Sequence, residues 1–385
     1  MEKALSEVGR GGLEAAAAAF ILTVLLIPLL VPLARRVGLV DHPGGRKTHA
    51  AATPMVGGVA IALVSIPLAL VMFHPSAPLL GLGAATLILL PAGVLDDRYN
   101  LNWVLRLAAQ SAAALAMIYV GGVRVELIGS AFGLAHHTLG MLSVPFTVIA
   151  TVGLINALNM ADGVDGLVGG LTLAALAMLT AAAVYSGAAD LACVLVLMMG
   201  STAGFLVYNL RTPLRPRAHV FIGAGSEFLG LLIAWASFRL TQNPAHPVSP
   251  VLAPFLVAPP VVDCLVLIAR RLRSGRSPFS ADRNHIHHLL LDAGFSTTGA
   301  VSTLVALSVG LGAAAALAMH AHVPQGLFVT GFLGLTAAHY GLTSRRERSI
   351  GLLDRLARVA RRPGGRTAVA SRRDRAGRDA RAHHL

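Results

Sequence analysis

The 385-residue chain is 55% hydrophobic and only 13% charged, with a mean hydropathy of +0.70, whereas a soluble domain carries about 25% charged residues. This composition excludes an ordinary water-soluble globule. The formal charge of +13 does not point to nucleic acid, because thirteen of the 31 Lys and Arg follow Ser344 in an Arg-rich tail poor in aromatics, which reads as a basic segment lying on anionic lipid.

Crossing about 30 Å of hydrocarbon takes roughly 20 helical residues. Apolar runs of that order, closed by charge, Gly or Pro, predict eleven transmembrane helices near 14–34, 55–73, 79–95, 104–120, 138–158, 167–186, 189–208, 226–241, 248–269, 299–319 and 323–343. The first is too long for a signal-peptide core and ends in Arg35-Arg36 rather than a cleavage site. Cys193 and Cys264 both fall inside spans and far apart, which favours core packing over a disulfide or a zinc site. Between the fourth and fifth spans, Val123-Arg124-Val125-Glu126-Leu127 alternates like a short strand or hairpin outside the membrane.

Every Lys and Arg except Lys3, Arg10, Arg124 and Arg239 falls in the loops after spans one, three, seven and nine or in the tail. The positive-inside rule puts those loops and the C-terminus in the cytoplasm and the N-terminus outside. No repeat of fixed period is visible. The expected organisation is one all-α, polytopic membrane domain over 1–344 and a basic cytoplasmic tail, 345–385, without structure of its own.

The conspicuous polar clusters all follow odd-numbered spans, so they share one membrane face and can build one site. Carboxylates and histidines at membrane depth are costly and usually mark function. The first cluster runs from Asp41-His42-Pro43 through Arg46-Lys47-Thr48 to Pro54 and Gly57-Gly58. A Gly-rich turn with cations suits phosphate oxygens, although a plain positive-inside loop explains it equally well. The second is Asp96-Asp97-Arg98, two adjacent carboxylates at the negative end of a helix dipole. They call for a bound cation or a basic partner, or form a solvated cap with Arg98.

In the third cluster Asn156, Asn159, Asp162 and Asp165 recur every three residues, with Gly163 and Gly166 between them. They form one polar stripe if the stretch is helical, or an ordinary Asn/Asp/Gly turn. The fourth holds Arg270, Arg271, Arg273 and Arg276-Ser277-Pro278-Phe279, followed by His285-Ile286-His287-His288. Three histidines invite a zinc reading. The crowd of arginines and the absence of cysteine favour anion recognition.

In this order the four clusters, spread over residues 41–295, resemble the polyprenyl-phosphate N-acetylhexosamine-1-phosphate transferases. The His-Ile-His-His sequence after Gly275-Arg276-Ser277-Pro278-Phe279 is similar to the branch that takes simple UDP-amino sugars. The resemblance implies a multi-pass protein of the bacterial inner membrane with a cytoplasmic active site. It implies transfer of N-acetylglucosamine 1-phosphate from UDP-N-acetylglucosamine to undecaprenyl phosphate, releasing UMP, as the first lipid-linked step of cell-surface polysaccharide synthesis. Mg²⁺ is the implied cofactor, with Mn²⁺ as an alternative. The partners are the two substrates and membrane lipids, with a homodimer as one assembly open to such a protein and no nucleic acid.

Carried over residue by residue, Asp96, Asp97, Asp162 and Asp165 are the expected catalytic groups. Lys47, Asn156, Asn159, Arg276, His285, His287 and His288 are expected to bind substrate, and Asp96, Asp97, Asp162 and Glu227 to hold the metal. One departure stands out. The family usually shows Gly-Asp-x-Gly-Ser after the seventh span, and this chain reads Gly223-Ala224-Gly225-Ser226-Glu227, without the Asp. Glu227, about one helical turn on, is the expected substitute. The alternatives are a non-catalytic sugar-nucleotide binder, a transferase for another UDP-N-acetylhexosamine, and a secondary transporter. The transporter reading would call for an inverted repeat and polar groups at mid-membrane.

Overall fold

The computed structural model describes residues 6–42, 52–129, 138–212, 215, 217–242, 248–278 and 284–360. Lys47, with most of the Gly-rich turn around it, and the tail beyond 360 lie outside the described residues. A π-turn (Val8–Gly12) leads into α1 (Leu13–Val37), and a two-residue antiparallel pair, β1 (Val40–Asp41) with β2 (Thr53–Pro54), precedes α2 (Gly57–Met72). Next come α3 (Ala77–Tyr99), α4 (Trp103–Gly121), α5 (Ser143–Ala161), α6 (Leu167–Ser186), α7 (Ala189–Asn209) and α8 (Gly225–Thr241). The last third holds α9 (Ala253–Leu256), α10 (Ala258–Arg273), α11 (Ile286–Asp292), α12 (Thr297–His320), α13 (Gln325–Leu342) and α14 (Arg346–Ala360).

Each of the eleven expected spans coincides with helix, the ninth being divided between α9 and α10. Seven helices (α1 with its π-turn, α3 to α7, and α12) are long and apolar enough to cross a bilayer, and the bent pair around Val257 makes an eighth. The bend of 85° has a local cause. Pro254, Pro259 and Pro260 lack the N–H that a continuous helix would use, and their rings clash with the preceding turn. The remaining three, α2, α8 and α13, have 16, 17 and 18 residues, at or below the short end of what a crossing needs.

Helix α8 has a different solvent. It packs against α2, α3, α5, α6 and α7, and its residues are buried almost without exception, so protein rather than lipid surrounds Glu227. Close approach is possible because the crossings use glycine, as membrane helices do where dispersion rather than hydrophobicity drives packing. A methyl group on Gly58 at the start of α2 would overlap the backbone of Gly225 at the start of α8. One on Gly200 of α7 would overlap the Ala16 backbone of α1.

Two expectations are corrected. The Val123–Leu127 stretch keeps its alternation, with Val123 and Val125 buried and Arg124 and Glu126 exposed. Its pairing among the described residues, however, is one isolated bridge, Leu127 to Thr138. Side chains take the place of a partner strand: Thr147 Oγ1 accepts from the Val125 amide at 2.9 Å, and Gln242 Oε1 accepts from the Glu126 and Leu127 amides, each at 2.9 Å. The segment from 345, expected to lack structure, is helical over Arg346–Ala360. Ile350 and Leu353 of that helix share a face that packs on Leu167, Leu171, Leu289 and Leu290, and Arg346 bonds to Asp292 and to Asn284 Oδ1.

Both cysteines are buried and free, as core packing requires, which makes a labelling test of topology clean. A cysteine in place of exposed Ser277 should react with an impermeant thiol reagent from the cytoplasmic side only. One in place of Met141, 96% exposed at the other end of the bundle, should react only from outside. Reaction of both from one side would overturn the assigned orientation.

Candidate active site

The C-terminal ends of α3 and α5 meet the N-terminal ends of α2, α4 and α8 at one end of the bundle. The loop before α8 is the joint. Its Phe221 and Ile222 carbonyls accept from the amides of Gly57 and Gly58 at 3.0 and 2.8 Å, and the Phe221 amide bonds to Pro54 O at 2.9 Å. The first amides of α2, which have no partner within their own helix, are satisfied by the loop before α8.

Asp97 faces that loop. Its carboxylate accepts from the Ala224 amide at 2.7 Å and crowds Gly223, whose φ of 55° lies in the left-handed region. Asp96 turns the other way, accepting from the Leu101 amide at 2.8 Å and pairing with Arg106 Nε at 3.4 Å. The expected local partner, Arg98, is used elsewhere. It donates to Val37 O at 2.9 Å at the end of α1 and lies over the Tyr99 ring.

The amides of α5 link these groups into a network. Asn156 Nδ2 donates to Gln110 Oε1 at 2.7 Å, and Gln110 Nε2 donates to Glu227 Oε1 at 3.0 Å. One turn on, Asn159 Nδ2 donates to Ser226 Oγ at 3.2 Å, while its Oδ1 lies 3.5 Å from Arg106 Nη2. The helix ends at Ala161, with Asp162 as its C-cap. The expected stripe therefore holds for Asn156 and Asn159 and passes into a turn for Asp162 and Asp165.

Asp165 is bound by Arg211 Nε at 2.6 Å, and the neighbouring Gly166 amide donates to Asn209 Oδ1 at 2.7 Å. Among the described residues no hydrogen bond reaches the Asp162 carboxylate. The residue is solvent-exposed at the mouth of the cleft. Crowding of its carboxyl group by protein, then the like charges of Asp97, Asp165 and Asp41, nevertheless pushes its pKa up to about 7.

The histidines approach from α11. His287 is buried, its ring so close to Gly163 that a side chain there would collide with it. Burial first, then His288 and His285, pushes the imidazole down to about 3, so His287 is a neutral hydrogen-bonding group rather than the cation an anion site suggests. His285 is buried and held by Asp263, and His288 lies against the His287 ring. Arg276 is exposed on the turn that follows α10.

The structure thus gathers Asp96, Asp97, Asn156, Asn159, Asp162, Asp165, Glu227 and the three histidines, and leaves Arg276 at the edge. No three carboxylate, imidazole or thiol groups among the described residues converge on one point as a preformed metal cage. In particular Asp96 faces Arg106, and Glu227 faces Gln110. The donor set nevertheless suits a hard divalent cation: the nearby carboxylates offer oxygen, and their mutual charge, which raises Asp162, is what such an ion would balance. Sequence reading did not single out Gln110 or Asp263 and used Arg106 only as a marker of topology. A lone polar group inside an apolar run was the available signal for Gln110 and Asp263.

Residues 79–241 match the family described as Glycosyl transferase family 4. The undecaprenyl-phosphate alpha-N-acetylglucosaminyl 1-phosphate transferase of Escherichia coli (strain K12) is 34% identical over 351 residues, which cover 90% of this chain and 95% of that protein. Proteins of the same name from Yersinia pestis and Haemophilus influenzae are 35% and 33% identical, over 76% and 72% of this chain and 80% and 79% of their own length. With the family's match over residues 79–241 and a relative matched over 90% of this chain and 95% of its own length, one conclusion follows: this multi-pass chain belongs to glycosyl transferase family 4.

Proposed function

We propose that the chain transfers N-acetylglucosamine 1-phosphate from UDP-N-acetylglucosamine to undecaprenyl phosphate at the cytoplasmic face of a bacterial inner membrane. The observation that carries this reading is the convergence of Asp97, Asn159 and Asp162 at one membrane face, in a chain colinear with relatives named for that reaction.

In the step itself, an oxygen of the lipid phosphate attacks the sugar-bearing phosphorus. A new P–O bond forms, the bond to the UMP oxygen breaks, and UMP leaves with that electron pair. One phosphoanhydride replaces another, so the equilibrium lies near unity. A phosphate monoester with a second pKa of about 6 is roughly nine-tenths dianionic at pH 7, so the nucleophile needs no dedicated base. Positioning and charge stabilisation dominate such transfers. Arg106, set between Asp96 and Asn159, offers its guanidinium to phosphate oxygen. His287, neutral and against the Asp162–Gly163 turn, offers a hydrogen bond to the donor substrate. When bound, Mg²⁺ or Mn²⁺ would neutralise charge developing on the diphosphate. Asp97 and Asp162 are the residues that would hold it, with Asp96 and Glu227 as the further carboxylates of the cluster.

The shortened loop supports a second reading. The Ala224 amide takes up part of Asp97's capacity to accept, and the Asp that the resemblance leads one to expect is absent from the sequence, as in a protein that binds the sugar nucleotide without turning it over. Purified protein with undecaprenyl phosphate and a panel of UDP-sugars separates the readings. UMP release with N-acetylglucosamine transfer supports the transferase, and UDP-sugar binding without UMP release supports the binder.

On the transferase reading, Asp97→Asn and Asp162→Asn should each lower kcat at least about a hundredfold, the loss of roughly 3 kcal/mol of preorganised electrostatics. Folding should be preserved because the side chains are nearly isosteric, and near-parental turnover in either variant would remove it from the reacting centre. A second expectation follows from protons competing with the cation at Asp162. Since its pKa is raised to about 7, the acid form persists near neutrality, and apparent Mg²⁺ affinity should tighten as pH rises from about 6 to about 8. Magnesium titrations of UMP release at each pH measure this, and Asp162→Asn should flatten the trend. Finally, Glu227→Gln should raise the Mg²⁺ requirement if Glu227 replaces the missing Asp. An unchanged requirement would make Glu227 only the partner of Gln110.

A further inference from the structure

Asp263 lies within α10, one residue before the buried Cys264, and is 5% exposed. It receives three hydrogen bonds: from His285 Nδ1 at 2.9 Å, from the Ile286 amide at 3.1 Å, and from His339 Nε2 at 3.0 Å. An ionised carboxylate only accepts, so each ring nitrogen facing it carries a proton. His285 is thereby fixed in one attitude, with Nδ1 tied to α10 and Nε2 left for other work. Its ring stacks on His287 at 5.2 Å between centroids, and His287 in turn closes on Gly163 beside Asp162. A continuous set of contacts therefore runs from α13 through Asp263 and the histidine segment to the reacting end of α5.

The link to α13 is doubled on the next turns. Arg270 donates to Tyr340 O at 2.6 Å and to Thr343 Oγ1 at 2.7 Å, and its guanidinium lies over the Tyr340 ring. Buried carboxylates are retained only where their lone pairs are satisfied. Here the satisfying groups come from α11 and α13, not from α10 itself. Removing one of them leaves a buried charge short of a partner, and the histidine segment free to turn.

We propose that Asp263 is a positioning residue for the sugar-nucleotide half of the reaction, and that His339 makes α13 the brace that holds it. This rests on the transferase reading above. The histidine segment lies against the Asp162–Gly163 turn, and that reading gives the Asp96–Arg106 pair to the lipid phosphate, so a loosened segment should affect the donor substrate and leave the lipid's binding in place.

The test uses the full chain in lipid nanodiscs, with undecaprenyl phosphate, UDP-N-acetylglucosamine and Mg²⁺, and with folding of each variant checked by thermal unfolding. Asp263→Asn should raise KM for the UDP-sugar about tenfold or more, as loss of a group that orients a histidine commonly does, while KM for the lipid stays within about twofold. His339→Leu should raise KM for the UDP-sugar several-fold. His339→Gln, whose amide nitrogen sits near the place of Nε2, should return it to within about twofold of the parent. Unchanged UDP-sugar KM in both Asp263→Asn and His339→Leu would overturn the proposal, as would parallel changes in both substrates' KM or a Gln variant no better than Leu. Should Asp263→Asn fail to fold, the two His339 variants decide alone. If the parent releases no UMP, the transferase reading fails instead. UDP-sugar affinity measured by calorimetry on the same variants then tests the brace, with the same order of effects expected.

Discussion

Asp41, Asp97, Asp162 and Asp165 bring like charge into a cleft where protein has displaced much of the water. Like charges gathered in such a cleft repel one another more strongly than in bulk water, in a kind of molecule whose folded state is typically favoured by only about 5–15 kcal/mol. The fold meets this strain locally. Arg211 holds Asp165, Arg106 holds Asp96, and the Ala224 amide, with the N-terminal end of the α8 dipole behind it, holds Asp97. Asp162 is left with unbalanced charge, and that residue is where the proposed chemistry needs a cation.

Such a cluster persists only on a rigid frame, and the frame here is made by close helix crossings. The N-terminus of α8 delivers Ala224, Ser226 and Glu227 to the carboxylates because Gly58 and Gly225 allow two backbones to touch. The same contact puts the Phe221 and Ile222 carbonyls on the first amides of α2. The loop before α8 is thus fixed on one side by α2 and on the other by Asp97, which leaves its two-residue turn little freedom to move toward or away from the site.

Much of the fold was legible in the sequence because a bilayer imposes one periodicity and one length on every span, and all eleven apolar runs became helix. What sequence could not show was that protein rather than lipid surrounds α8, since burial inside a bundle leaves no mark on hydropathy. The kink at Val257 is legible in Pro254, Pro259 and Pro260, although the run stays apolar across it. The C-terminal helix was hidden for the opposite reason. Its arginines look like a disordered tail, and only the spacing of Ile350 and Leu353 betrays the face that docks on α11. At the site, the carboxylates and amides were readable by spacing alone. Their partners were not, because Arg106, Gln110, Asp263 and His339 each stand singly in sequences that otherwise read as spans, and only tertiary contact shows what each one holds.

The loop before α8, where the resemblance leads one to expect an Asp, instead gives Asp97 a backbone partner. At the start of α8 the Ala224 backbone amide donates to Asp97, so part of what a cation would do for that carboxylate is done by a fixed dipole. The expected carboxylate has a counterpart one turn on in Glu227, about 5 Å along the axis. That counterpart is not free to follow the substrate, because Gln110 grips it and Asn156 grips Gln110. On the proposed reading, whatever geometry the absence of that Asp costs must be recovered by the same three-residue relay from α5 through α4 to α8, which makes Gln110 as much a part of the site as the carboxylate it orients.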